Sequence, residues 1–175
     1  ESRRRRFLDG EYSDDNESMV FPIHKENLYE GPEFREWIAR VGIDTVRLTA
    51  GLDLGYEDAD GFVIIAYSTV NPMRWLIYEY KARREGTAEL AKAIRAGLEY
   101  AAGLNLPHGS VDVYADTGGG GKKSVADLYT VYGLPVRKAY KSDKLMAIEL
   151  LRDDIVSGRF MIPKDSAFER ECEKV

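Results

Sequence analysis

The feature that most constrains this chain is an ordered change of hydrophobic period. Between Val46 and Lys81 the apolar residues fall into three β-type stretches, and after Thr87 helical spacing alternates with short apolar runs. Alternation is the mark of a half-buried strand, and recurrence every three to four residues is the mark of a helix face. Val46 to Leu54 alternates and is rich in β-formers. Gly61 to Val70 holds Phe62-Val63-Ile64-Ile65, a buried strand, and the turn-like Gly55 to Asp60 joins the two as a hairpin. Met73 to Lys81 adds a third strand. Thr87 is a candidate cap for a helix carrying Leu90, Ile94, Leu98 and Ala101. Val111 to Ala115 is a short strand, followed by a glycine loop at Gly118 to Gly121. Ser124 then caps a second helix with Val125, Leu128, Tyr129 and Tyr132 on one face, ended by Gly133. Leu134 to Tyr140 is a strand. Ser142 caps a third helix with Leu145, Ile148, Leu151 and Ile155 inward, stopped near Gly158, and Phe160-Met161-Ile162 is a short extended piece. The expected order is β-β-β-α-β-α-β-α. Three antiparallel strands followed by helix-strand units make a mixed sheet with helices on both faces.

Residues 1–36 read differently. They are rich in charge, Gly and Pro, with apolar patches only at Phe7-Leu8 and Met19-Val20-Phe21, as expected of an extension or linker preceding a domain at 37–175. The 175 residues, 44% hydrophobic, suffice for one core. The single Cys172 excludes an internal disulfide framework, and no apolar run reaches transmembrane length, so the chain is expected to be soluble and intracellular. The net charge of −5 argues against a nucleic-acid partner until its distribution is considered: residues 1–36 carry 10 acids and 6 bases, whereas 122–164 carries 9 bases and 5 acids. A local basic surface can meet phosphates on an acidic protein, and an ordinary mixed surface gives the same count.

Two carboxylates carry the candidate chemistry. Asp53 lies inside the first apolar strand, flanked by Gly51 and Gly55. A carboxylate there is costly unless it is paired, protonated or metal-bound, and a turn-capping Asp is the alternative. Asp116 ends the strand before the glycine loop, at the carboxyl end where open α/β sheets bind ligands; an Asp before glycine also forms turns. If the two strands are neighbours, the carboxylates converge, and Mg²⁺ or Mn²⁺ relieves their repulsion. Asp58 and Asp60, in the hairpin turn, are further candidate acids or turn formers. Lys138, Lys141 and Lys144, with Lys122 and Lys123 beside the glycine run, are candidate DNA contacts or solvated helix starts. The Gly-Lys-Lys sequence lacks the upstream glycine of a phosphate-binding Walker loop. His24 and His108 have no metal-ligand spacing, and neither a Cys/His zinc pattern nor a Ser-His-Asp arrangement is present.

The element order is that of RNase H-like folds, and the motifs resemble one family within them. Gly51-Leu52-Asp53-Leu54-Gly55-Tyr56 with Asp58 soon after, Tyr114-Ala115-Asp116, Ala126-Asp127-Leu128, Gly133-Leu134-Pro135-Val136 leading to Lys141, and Ile148 through Gly158-Arg159 to Ile162-Pro163 resemble, in order, the C-terminal nuclease domain of the large terminase subunit of tailed bacteriophages. Arg5-Arg6-Phe7-Leu8-Asp9-Gly10-Glu11-Tyr12 resembles the segment that joins that family's ATPase domain to its nuclease. The resemblance implies a nuclease that cuts concatemeric viral double-stranded DNA during packaging with two Mg²⁺ or Mn²⁺ ions. It implies an ATPase domain, a portal and a small terminase subunit as partners, and the host cell cytoplasm as location. Asp53 and Asp116 match the first two metal-binding acids, and Asp58 an acid that follows the first strand. One departure stands out: the family's third acid, in a His-x-x-Asp-Ala segment of a later helix, has no counterpart, and Asp165 or Glu169 is at best a substitute. A domain lacking its last helix is therefore expected. A RuvC-like resolvase or transposase-type nuclease would use the same two acids, and a metal-free assembly or DNA-binding module would use neither.

Overall fold

The computed structural model describes residues 20–55, 59–83, 86–116, 121–140 and 144–172, the side chains of 121–124 excepted. Asp58 and Lys141, the side chains of Lys122 and Lys123, and the Ser142 cap lie outside the described residues.

The strand stretches read from the alternation are present. Strand β1 (Leu28–Tyr29) and helix α1 (Pro32–Val41) come first, followed by the meander β2 (Val46–Asp53), β3 (Ala59–Ser68) and β4 (Arg74–Arg83). Then come α2 (Thr87–Gly103), β5 (Asp112–Ala115), α3 (Gly121–Thr130), β6 (Val136–Lys138), α4 (Lys144–Val156), β7 (Phe160–Pro163) and α5 (Ala167–Cys172). One seven-stranded sheet runs in the order β1-β7-β4-β3-β2-β5-β6. The meander is antiparallel, while β5 lies parallel to β2, β6 to β5, β7 to β4 and β1 to β7. The extended piece at Phe160 is thus a strand on the far side of the meander. Residues 28–29, expected within the extension, pair with it.

Alternation divides the sheet into two faces. Val46, Leu48, Ala50 and Leu52 of β2 turn to the first face with Phe62, Ile64 and Ala66 of β3 and Val113 and Ala115 of β5, all buried. Helix α2 covers this face with Leu90, Ala91, Ile94 and Ala101. Its approach is close enough to demand glycine: a Cβ on Gly97 would lie 2.8 Å from both Phe62 and Tyr78. On the second face, Leu76, Phe160 and Ile162 form a smaller cluster under Ile155 of α4, with Val63 and Phe168 of α5 against it. Asn27, fully buried, secures this end by donating from Nδ2 to the carbonyls of Ile155 (2.9 Å) and Phe160 (3.0 Å).

Three local expectations are corrected. Thr87 is the first residue of α2 rather than its cap; Gly86 occupies the cap and its carbonyl accepts from Glu89 and Leu90. Helix α3 starts at Gly121, so Ser124 lies within its first turn. Leu145 is exposed, because the second-face cluster engages only the later part of α4, at Leu151 and Ile155. Gly133 does end its helix: with φ +66° it donates to the Tyr129 carbonyl, the 5→1 bond of an αL cap, while Leu134 donates to Leu128.

Candidate active site

Asp53 is the last residue of β2, and Asp116 follows the last residue of β5. These strands are parallel neighbours in the register Leu52 with Ala115. The Asp116 N–H donates to the Leu52 carbonyl at 3.1 Å, continuing the ladder one step and setting Asp116 beside Asp53. Leu52 and Ala115 are buried on the first face, so alternation turns both acids to the second. Asp53 is exposed and Asp116 half-buried. The strand ends therefore bring the two sequence-predicted acids together at one end of the sheet.

Asp60 stands close by. Its Oδ1 accepts from the Gly55 N–H at 3.1 Å, folding the chain after β2 back toward β3. Burial pushes the Asp60 carboxyl above the usual carboxylate range, the Gly55 N–H opposes this, and the charge of Asp53 adds to the rise. Of the hairpin acids, then, Asp60 feels the Asp53 carboxylate in the described structure.

A cavity of about 370 Å³ opens beside Asp53 on the second face. Its walls include Gly61 of β3, Glu79 and Lys81 of β4, and Phe168 and Glu171 of α5. The Glu79 carboxylate accepts from the N–H groups of Ala167 and Phe168, fixing the start of α5 against the sheet. Lys81 Nζ pairs with Glu171 Oε2 at 2.5 Å. Asp165 and Glu169 are joined to each other instead, the Asp165 N–H donating to Glu169 Oε2 at 2.6 Å, and neither lines this cavity. Among the described residues, Glu171 is the acid of α5 that lines this cavity together with Asp53. The sequence held no signal for it, because the short α5 carries no pattern that says which strand it meets.

No family model matches the chain, nor does any curated protein. Solved structures do. The nuclease domain of the phage P22 large terminase superposes with a TM-score of 0.67 at 14% identity, covering 88% of this chain and 77% of that one. The nuclease domain of the SPP1 large terminase, g2p, with bound Mn, does so at 0.60 and 20% identity, covering 87% and 80%. This chain has the terminase nuclease fold. Against a large terminase from a thermophilic bacteriophage the TM-score is 0.62 at 14% identity, and the chain covers 36% of that protein's length.

Within the terminase nuclease fold the basic residues sort by alternation. Lys138 is in register with Ala115 and shares the parity of Val136, the first face; Arg137 is in register with Tyr114, on the face of Asp53 and Asp116. Arg137 pairs with Asp112 at 3.2 Å, and both side chains are half exposed or more. Lys138, at the strand end, and Lys144, at the start of α4, are exposed. Arg137, one of the nine bases between 122 and 164, was not singled out from the sequence, although the alternation of β6 places it on this face. Among the described residues no group of three or more His, Cys, Asp or Glu has a geometry able to hold a metal ion. Asp53 forms no ion pair there either. Two adjacent carboxylates still suit an oxygen-seeking divalent cation in donor chemistry.

Proposed function

We propose that the chain is a divalent-metal-dependent endonuclease that cuts concatemeric viral double-stranded DNA during genome packaging. The observation that carries this reading is the placement of Asp53 and Asp116 side by side at adjacent strand ends. The terminase nuclease fold and the Mn bound in the SPP1 structure support it. Asp53 and Asp116 would hold Mg²⁺ or Mn²⁺ in a two-ion arrangement. When bound, such ions acidify a water and stabilise charge on the phosphodiester oxygens.

The chain's own contribution is geometric. The β2–β5 ladder fixes the spacing of the two acids, the sealed first face keeps them at the rim of the core, and the Gly61 gap leaves room for a strand of DNA. His24 and His108 lie outside the second-face site, so no histidine base is assigned. Asp58, Lys122, Lys123, Lys138, Lys141 and Lys144 remain candidates of the same reading, as a further acid and as phosphate contacts. The full protein would add an ATPase domain and work with a portal and a small terminase subunit in the host cytoplasm. No helix among the described residues is long and apolar enough to cross a membrane.

The test is Mn²⁺-dependent cleavage of supercoiled plasmid. Asp53→Asn and Asp116→Asn are each expected to reduce cleavage by at least about 100-fold with the fold retained, as for loss of a metal ligand. Cleavage unchanged in both variants would sink the reading.

A further inference from the structure

The row of residues that crosses the sheet beside Asp53 is unusual in its composition. On the second face Asp53 of β2 is in register with Gly61 of β3, and Gly61 with Lys81 of β4. An anion-binding side chain thus faces a carboxylate across a residue with no side chain. A Cβ built on Gly61 would meet no atom within 4 Å, so the space between them is open. Two strand spacings set that gap at roughly 10 Å between the backbones of β2 and β4. The cavity lined by Asp53, Gly61 and Lys81 is this gap.

Lys81 is held for use across the gap. Its ammonium pairs with Glu171 of α5, and both side chains are well exposed, 39% and 48%, so the pair is weak and exchangeable. Glu79, the other acid on this stretch of β4, is already engaged by the N–H groups of α5 and does not compete for Lys81. An exposed ammonium held by one carboxylate beside an open gap suits one ligand best: another oxyanion that enters the gap.

We propose that Lys81 contacts a phosphodiester of the DNA substrate, exchanging Glu171 for a phosphate that lies over Gly61, and that Glu171 keeps Lys81 turned to the gap in the absence of DNA. This deepens the nuclease reading and rests on it. It assigns the strand that is cut to the groove between β2 and β4, on the face away from Lys138.

Binding rather than cleavage tests it, using the whole chain and a fluorescent 20-base-pair duplex with Ca²⁺ in place of Mn²⁺. Loss of one phosphate contact makes the slope of log affinity against log salt shallower by about 0.9. Lys81→Gln is expected to show that change, with affinities converging on wild type as salt rises; Lys81→Arg keeps the wild-type slope. Glu171→Gln is expected to tighten binding, because the competing carboxylate is gone. Gly61→Val projects into the gap from a Cβ that meets no atom within 4 Å and is expected to weaken binding while its melting temperature stays near wild type. An identical slope for Lys81→Gln and wild type overturns the proposal, and so does normal binding by Gly61→Val. The nuclease reading survives either result if Asp53→Asn still abolishes plasmid cleavage. A wild-type chain that binds no duplex at 50 mM salt overturns the proposal outright, and Asp53-dependent cleavage then decides the nuclease reading separately.

Discussion

The two faces of one sheet are built from the same strands and do opposite things. On the first face, Val46, Leu48, Ala50 and Leu52 of β2, Phe62, Ile64 and Ala66 of β3 and Val113 and Ala115 of β5 are all buried, and α2 packs so tightly that Gly97 has no room for a methyl group. On the second face, the residues between them include Thr49, Gly51, Asp53, Gly61, Lys81 and Tyr114, none of them buried. Among the described residues, that face is sealed at its β4–β7 end, where Leu76, Phe160 and Ile162 meet Ile155. A charged group is costly in a sealed core and nearly free on an open face. The sheet can therefore hold two like-charged carboxylates side by side because one face carries the stability and the other is open.

The same substitution placed on each face should cost very different amounts of stability. Gly97→Val pushes a branched side chain into Phe62 and Tyr78 and is expected to cost about 3 kcal/mol, the upper end of core overpacking. Gly61→Val, the same change on the second face, enters open space in a strand that favours β-branched residues, and its cost is expected to stay within about 0.5 kcal/mol. Urea denaturation of the two variants makes the comparison; equal losses would mean that the second face is as closed as the first.

The smallest effect is electrostatic. Asp60 has a raised carboxyl pKa in the fold, from burial first and the charge of Asp53 after the opposing Gly55 N–H. Its ionised form is thus disfavoured by folding, so its penalty is present at neutral pH and disappears as pH falls below the ordinary aspartate pKa of about 3.9. Asp60→Asn keeps an acceptor for Gly55 and removes the charge. Its melting temperature is expected to exceed wild type at pH 7.5, and the difference should vanish near pH 3.5. A difference independent of pH would remove Asp53 and burial as its cause.

The first face was readable in the sequence, and the second only in part. The alternation of β2 and the helical stripe of α2 report burial directly, so the meander and the crossover helix follow from period alone. The pairing of Asp53 with Asp116 needed only the assumption that their strands are neighbours, which the register bears out. What was not readable depends on contacts distant in sequence. The place of β7 between β1 and β4, the cap that Glu79 supplies to α5, and the Lys81–Glu171 pair join residues whose local patterns carry no trace of one another. The inward assignment of Leu145 failed for the same reason: helical spacing names a face, but not how far along the helix a partner extends.

In the reading proposed above, Asp53 and Asp116 together hold a divalent cation. Crystals of the chain soaked in Mn²⁺, with anomalous data collected at the manganese edge, test it most directly. An anomalous peak between the two carboxylates is expected, lost in Asp53→Asn. Manganese density elsewhere with none between these two side chains would contradict it.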